Sequence, residues 1–269
     1  MKISQQLIFT IFIILFLMSG IAAQDFKIKL SKGNKLVFNQ IENLTIEGYN
    51  GSELVVKGQA EIKEQEERAQ GLQVFEGSGN VDNTGLGLSV VESGNEFIID
   101  KVLDDCNCAY TIMVPNHIDI LFRNKVSLTG FLSIENVDSE IEISANYTSI
   151  YLENITGPVS INSVYGNVEA IFKTLSQQNP STIKTSYGLI DISLPEGSTS
   201  DLKAVSTYGN MYTDFEFDEK DIKHTVQGHD SRNCSYCKSA ERSTGKINGG
   251  GVLLDLSAGY SNIYLRKRK

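Results

Sequence analysis

The sequence has no tryptophan, only 4 prolines and only 3 histidines in 269 residues. Scarce proline beside 23 glycines, with no three-residue period, excludes a collagen-like chain. Three histidines, His117, His224 and His229, are too few for a rich metal site. A basic excess is missing as well: 24 Lys+Arg face 33 Asp+Glu, for a formal net charge of −9. Such a surface disfavours nucleic acid and anionic lipid, both of them polyanions. The basic run at 266–269 (RKRK) reads as a solubilising tail. Reaction motifs are also wanting. There is no GxSxG, HExxH, GxxxxGK or DxDxDG-type loop, and Gly85-Leu86-Gly87 is only a loop fragment. With 41% hydrophobic and 21% charged residues, the chain is nonetheless long and apolar enough to bury a core.

Long apolar runs are missing except for one. Residues 7–18 (LIFTIFIILFLM) follow Lys2 and precede Ser19-Gly20-Ile21-Ala22-Ala23, so residues 1–23 read as a secretory signal cleaved after Ala22 or Ala23. The run is short for a spanning helix, and no cysteine follows it to carry a lipid. The expectation is an exported protein, periplasmic, on the outer cell surface or secreted, with no span in its mature chain. Export bears on the four cysteines, Cys106, Cys108, Cys234 and Cys237, which form two close pairs. In an oxidising compartment they read as disulfides, with zinc the weaker alternative because Cys-x-Cys is not a usual zinc knuckle. Three pairings are open. Strain in a Cys-x-Cys bridge favours links between the 106/108 and 234/237 segments.

What the chain has instead is a repeat. Gly130 within TGFLSI opens a phrase that recurs at Tyr147, Tyr165, Tyr187, Tyr208 and Tyr260, as YTSIYL, YGNVEA, YGLIDI, YGNMYT and YSNIYL. Before most of these tyrosines stand two alternating apolar residues, such as Ile141/Ile143, Val159/Ile161, Leu202/Ala204 and Leu254/Leu256; the copy before Tyr187 has Ser181/Ile183. The unit is a strand, a corner, and a second strand, each strand with one apolar face. Gly166, Gly188 and Gly209 mark the corner, through positive φ or close backbone approach. Asn136 and Asn154 mark another edge. Repeats of 18–22 residues are too short for crossover helices and predict stacked coils. Equivalent tyrosines then form a ladder, expected to face inward as structural packing.

The corners, VPNHIDI at 114–120, YGNMYTDFEF at 208–217 and GGGVLLDLSAGYSNIYL at 249–265 resemble the putative adhesin family of exported bacterial right-handed β-helix proteins, a domain of unknown function. The resemblance covers 33–56 and 114 onward. It implies an elongated, non-catalytic envelope or secreted protein and brings no catalytic motif, cofactor or metal. The expected architecture is all-β: a right-handed parallel β-helix with 18–22-residue rungs. Residues 24–115 form an irregular N-terminal β region with a charged helical excursion at 60–72, continuous with the solenoid. Residues 116–269 carry the repeats, and a cysteine-containing insertion at about 218–246 precedes the last rung. The expected function is a scaffold or adhesin-like binding protein for a glycan or envelope-protein partner. Two alternatives stand beside it: a carbohydrate-active enzyme using outward carboxylates such as Glu135 and Glu153, and a redox- or metal-responsive protein acting through its cysteine pairs.

Overall fold

The computed structural model describes residues 25–58, 81–102, 108–125, 129–217, 223–224 and 241–268. The leader, the 60–72 segment read as helix, Cys106, Cys234, Cys237 and His229 lie outside the described residues. Among those described there is no helix, and hence none long and apolar enough to cross a membrane.

Each repeat contributes one strand to each of two sheets. In the central repeats these are β10 (Ile141–Ala145) and β11 (Thr148–Ile155), β12 (Val159–Ser163) and β13 (Val168–Phe172), and β14 (Ser181–Thr185) and β15 (Ile190–Pro195). Successive repeats pair in parallel: Ile141 lies beside Val159 and Ile150 beside Val168. Alternation then sends Ile141, Ile143, Ile150 and Leu152 inward, each at most 3% exposed, where they meet their counterparts from the next rung. Hydrogen bonding continues through the corner. The amides of Tyr165, Tyr187, Tyr260 and Tyr208 donate to Asn146, Val164, Ser186 and Gly259 of the adjacent rung. Among the described residues the result is an all-β, solenoid-like stack with a ten-stranded and an eleven-stranded sheet around one core.

The order of the stack differs from the order of the sequence at both ends. The C-terminal rung, β20 (Leu253–Ala258) and β21 (Ile263–Arg268), does not follow the rung of β16 (Ser200–Ser206) and β17 (Met211–Thr213). It lies between that rung and β14/β15. Sequential stacking would have placed Tyr260 last, and the structure corrects this. The N-terminal end mirrors it. The strands β2 (Lys35–Asn39) and β3 (Asn43–Tyr49) lie between the rung of β6 (Glu96–Lys101) and β7 (Ala109–Pro115) and the rung of β8 (Asp119–Asn124) and β9 (Gly130–Glu135). Two rungs at this end, β2/β3 and β6/β7, thus pair in parallel like the central ones. Each chain-terminal rung is thus hydrogen-bonded along both edges.

Two straps make this possible. From β3 the chain crosses the end of β7 and returns as β4 (Glu53–Gly58), antiparallel to β7, with β1 (Phe26–Lys29) outside it. At the other end β19 (Glu241–Ile247) runs antiparallel to β16, and residues 248–252 cross the start of β16 into β20. Asn248 donates to the carbonyls of Glu196 and Ser198, and the amide of Val252 donates to Gln177. Gly249 and Gly250 take φ of +89° and +90°, which explains the glycine run: a side chain on Gly250 would also meet Asp201. Outer antiparallel strands, β5 (Leu88–Ser93) on β6 and β18 (Lys223–His224) on β19, finish the eleven-stranded sheet at its two ends. Such strands blunt the open parallel edge.

Candidate functional site

The corner that carries the tyrosines is built from the inside outward. In three rungs an inward hydroxyl sits three residues before the glycine. Ser163 and Thr185 each accept the amide hydrogen of Gly166 or Gly188 and donate to the same glycine's carbonyl; Ser206 accepts from Gly209 and donates to Ser261. In the other two rungs the pair is exchanged: Ala145 and Ala258 stand at the inward position, and Thr148 and Ser261 replace the glycine. Thr148 is fully buried and accepts from Asn124. The alternation of S/T-x-x-G with A-x-x-T/S was legible in the sequence as a swap of hydroxyl and small residue, and the reading from tyrosines alone passed over it. The glycines are not at positive φ. A Cβ on Gly166 or Gly188 would collide with the carbonyl oxygen of Thr148 or Gly166 in the neighbouring rung, so close approach is the reason for them.

With the corner drawn that tightly, the residue before it turns outward. Tyr147, Tyr165, Tyr187, Tyr260 and Tyr208 stack in that spatial order, with ring centroids 4.7, 4.8, 4.9 and 4.7 Å apart and planes within 11°. They are 36%, 48%, 49%, 56% and 49% exposed. The expected inward ladder is therefore an outward one. Strand alternation ends at Ala145 and restarts at Thr148, so the corner tyrosine belongs to neither inward row, and the general preference of aromatic residues for packing does not hold here. None of the five phenol oxygens has a hydrogen-bond partner among the described residues. Two residues after three of the tyrosines lie Asn167, Asn262 and Asn210, whose side chains bridge neighbouring rungs or bond to a second stacked pair, Tyr264 and Tyr212.

The carboxylates occupy the outer face of the ten-stranded sheet. Glu135 and Glu153 are direct partners in register, Glu47 adds a third on the other side of Glu135, and Ile171 follows Glu153. Glu135 accepts from Ser133 and Glu153 from Tyr151. That bond to a carboxylate pushes the Tyr151 hydroxyl up to about 12. Glu135, Asn136, Glu153, Asn154, Ile171 and Arg268 line a shallow open concavity. Asn136 and Asn154 sit at φ of 59° and 55°, and the Asn154 amide donates to Asn136. Sequence alone placed Glu135 beside Glu153. It could not add Glu47, because the N-terminal rung is inserted out of order.

His117 is exposed in the turn between β7 and β8, far in sequence from His224 on β18. Cys108 is buried beside β7 and carries no free thiol. Its rung stands at one end of the stack, while β18 and β19, which flank the second cysteine pair in sequence, stand at the other. No group of three His, Cys, Asp or Glu side chains among the described residues converges as a metal site.

No curated protein matches the sequence. Two solved structures are similar over most of its length, both at 12% identity. A putative cell adhesion protein from Clostridium sporogenes ATCC 15579 aligns with a TM-score of 0.40 over 91% of this chain and 99% of its own. A putative adhesin from Bacteroides fragilis NCTC 9343 aligns at 0.34 over 90% and 96%. The sequence model of the Toastrack DUF4097 family matches residues 18–248, which include strands of both sheets and four of the five tyrosine corners, Tyr260 lying beyond the match. The chain belongs to the Toastrack DUF4097 family.

Proposed function

We propose that this protein is an exported, non-catalytic β-solenoid of the cell envelope or its surroundings that binds a glycan or protein partner along its outer surface. The observation that carries this is the tyrosine ladder: five stacked rings, about half exposed, whose hydroxyls have no partner among the described residues. A stripe of large aromatics left in water is unusual for a surface with no partner, and tyrosine is enriched where surfaces recognise others. Export rests on residues 1–23, and oxidised cysteines are supported by the buried, non-free Cys108. The right-handed coil sense follows the general rule for parallel crossovers.

The test is an array of glycans and envelope proteins probed with the mature protein and with Tyr165→Ser/Tyr187→Ser. Binding that the double variant loses supports the reading. Binding that it retains in full overturns the ladder's part in it. Mass spectrometry of the secreted chain checks cleavage after Ala22 or Ala23. Non-reducing peptide mapping of the same sample separates a cystine linking the two segments from one within each pair.

One observation favours the enzymatic alternative, the in-register Glu135 and Glu153 beside a concavity. Retaining glycosidases hold their carboxyl groups about 5 Å apart. Product formation from a polysaccharide, abolished by Glu153→Gln, would replace the scaffold with an enzyme.

A further inference from the structure

We infer that the partner of the tyrosine ladder is an uncharged, extended β-linked glycan lying parallel to the stack axis. The inference rests on reading the ladder as a binding surface and names what it binds.

The ring faces decide the mode. A sugar usually meets an aromatic residue by lying on its face. Here each inner ring has both faces covered by its neighbours at 4.7–4.9 Å, so Tyr165, Tyr187 and Tyr260 offer only their edges and hydroxyls. The ladder is therefore a line of groups that can each donate and accept one hydrogen bond, repeated once per rung. A complementary polymer needs a polar group at that same interval over several repeats. An extended polypeptide presents same-side groups about every 6.8 Å and falls out of register within two rungs. A β-1,4-linked glycan is straight, and its ring-to-ring advance is close to the rung spacing; successive rings are turned over, so the edge facing the ladder presents hydroxymethyl and ring hydroxyls in alternation, with a polar group at every ring. An α-1,4-linked chain of the same sugars curls and leaves the line.

Charge narrows the class further. The chain carries a net charge of −9, which repels a polyanionic glycan. Groups bordering the ladder in three rungs are the neutral side chains of Asn167, Asn210 and Asn262. Neutral hexose or N-acetylhexosamine chains fit both conditions.

Calorimetry of the mature full-length protein with cello- and chito-oligosaccharides of two to six units tests this, with maltohexaose as the α-linked control. Affinity should rise with each added unit up to five and then level, and maltohexaose should bind at least tenfold more weakly. Tyr187→Phe keeps the stacked ring and removes one hydroxyl; it should weaken hexamer binding about fivefold with an unchanged melting temperature. Length-independent binding, or a hexamer that Tyr187→Phe binds as well as wild type, overturns the inference. If the hexamers fail while an uncharged extended decapeptide binds and Tyr187→Ser abolishes it, the glycan assignment falls and the ladder remains a binding surface. If neither probe binds and the array of glycans and envelope proteins is also silent, both readings fall.

Discussion

At the scale of residues, the corner shows how little room a stacked coil allows. Gly188 has no Cβ because the carbonyl of Gly166 occupies that space, whereas Gly197 faces open space. Gly188→Ala should therefore cost about 1–3 kcal/mol in urea unfolding, and Gly197→Ala should stay within about 0.5 kcal/mol. Equal effects would mean that the rungs are not in contact at the corner. Tyr110 supplies a second residue-level expectation. It is buried, donates to the carbonyl of Leu86, and its hydroxyl is pushed up to about 12 by burial and then by Asp82 and Glu42. A folded-state value above the unfolded one near 10 gives stability that is complete below pH 10 and is lost as pH rises towards 12. Denaturation midpoints measured across that window should fall, and Tyr110→Phe should flatten this alkaline slope.

At the scale of elements, the apolar pairs and the tyrosine corners were legible because each residue's partner lies one repeat away and has the same type. The order of stacking was not. Leu254 and Leu256 fit as well beside Ser181 and Ile183 as beside Leu202 and Ala204, and the structure pairs them with both. Only the straps break that degeneracy. Their signals are Gly249-Gly250-Gly251 and the turn at Tyr49–Gly51, which show that the chain turns there but not which strand it crosses. The interleaving has a dynamic consequence. Chain ends normally fray, but β20 and β21 are hydrogen-bonded on both sides, whereas β17 pairs only with β21 among the described residues. Native-state hydrogen exchange should find 253–258 and 263–267 as protected as the central rungs, and 211–213 faster. Fast exchange at 263–267 would place the C-terminal rung at the end of the stack instead.

At the scale of the whole molecule, both ends are closed by the same device in opposite sheets: a strand pair straddling the outermost rung, β3 and β4 around β7 at one end and β19 and β20 around β16 at the other. The body between them is a stack of parallel rungs whose corners fall in register, and that register lines up five tyrosines into one stripe. The candidate site was legible in part, since the tyrosines and their spacing stand in the sequence. Their outward direction and the place of Tyr260 needed the fold, because both depend on what the chain does at corners and straps. The central claim is that a continuous outward ladder includes the C-terminal tyrosine in its fourth place. Ring-to-ring nuclear Overhauser contacts in selectively tyrosine-labelled protein test it most directly. The account predicts contacts from Tyr260 to both Tyr187 and Tyr208 and none between Tyr187 and Tyr208; a direct contact between those two, with Tyr260 touching only Tyr208, would contradict it.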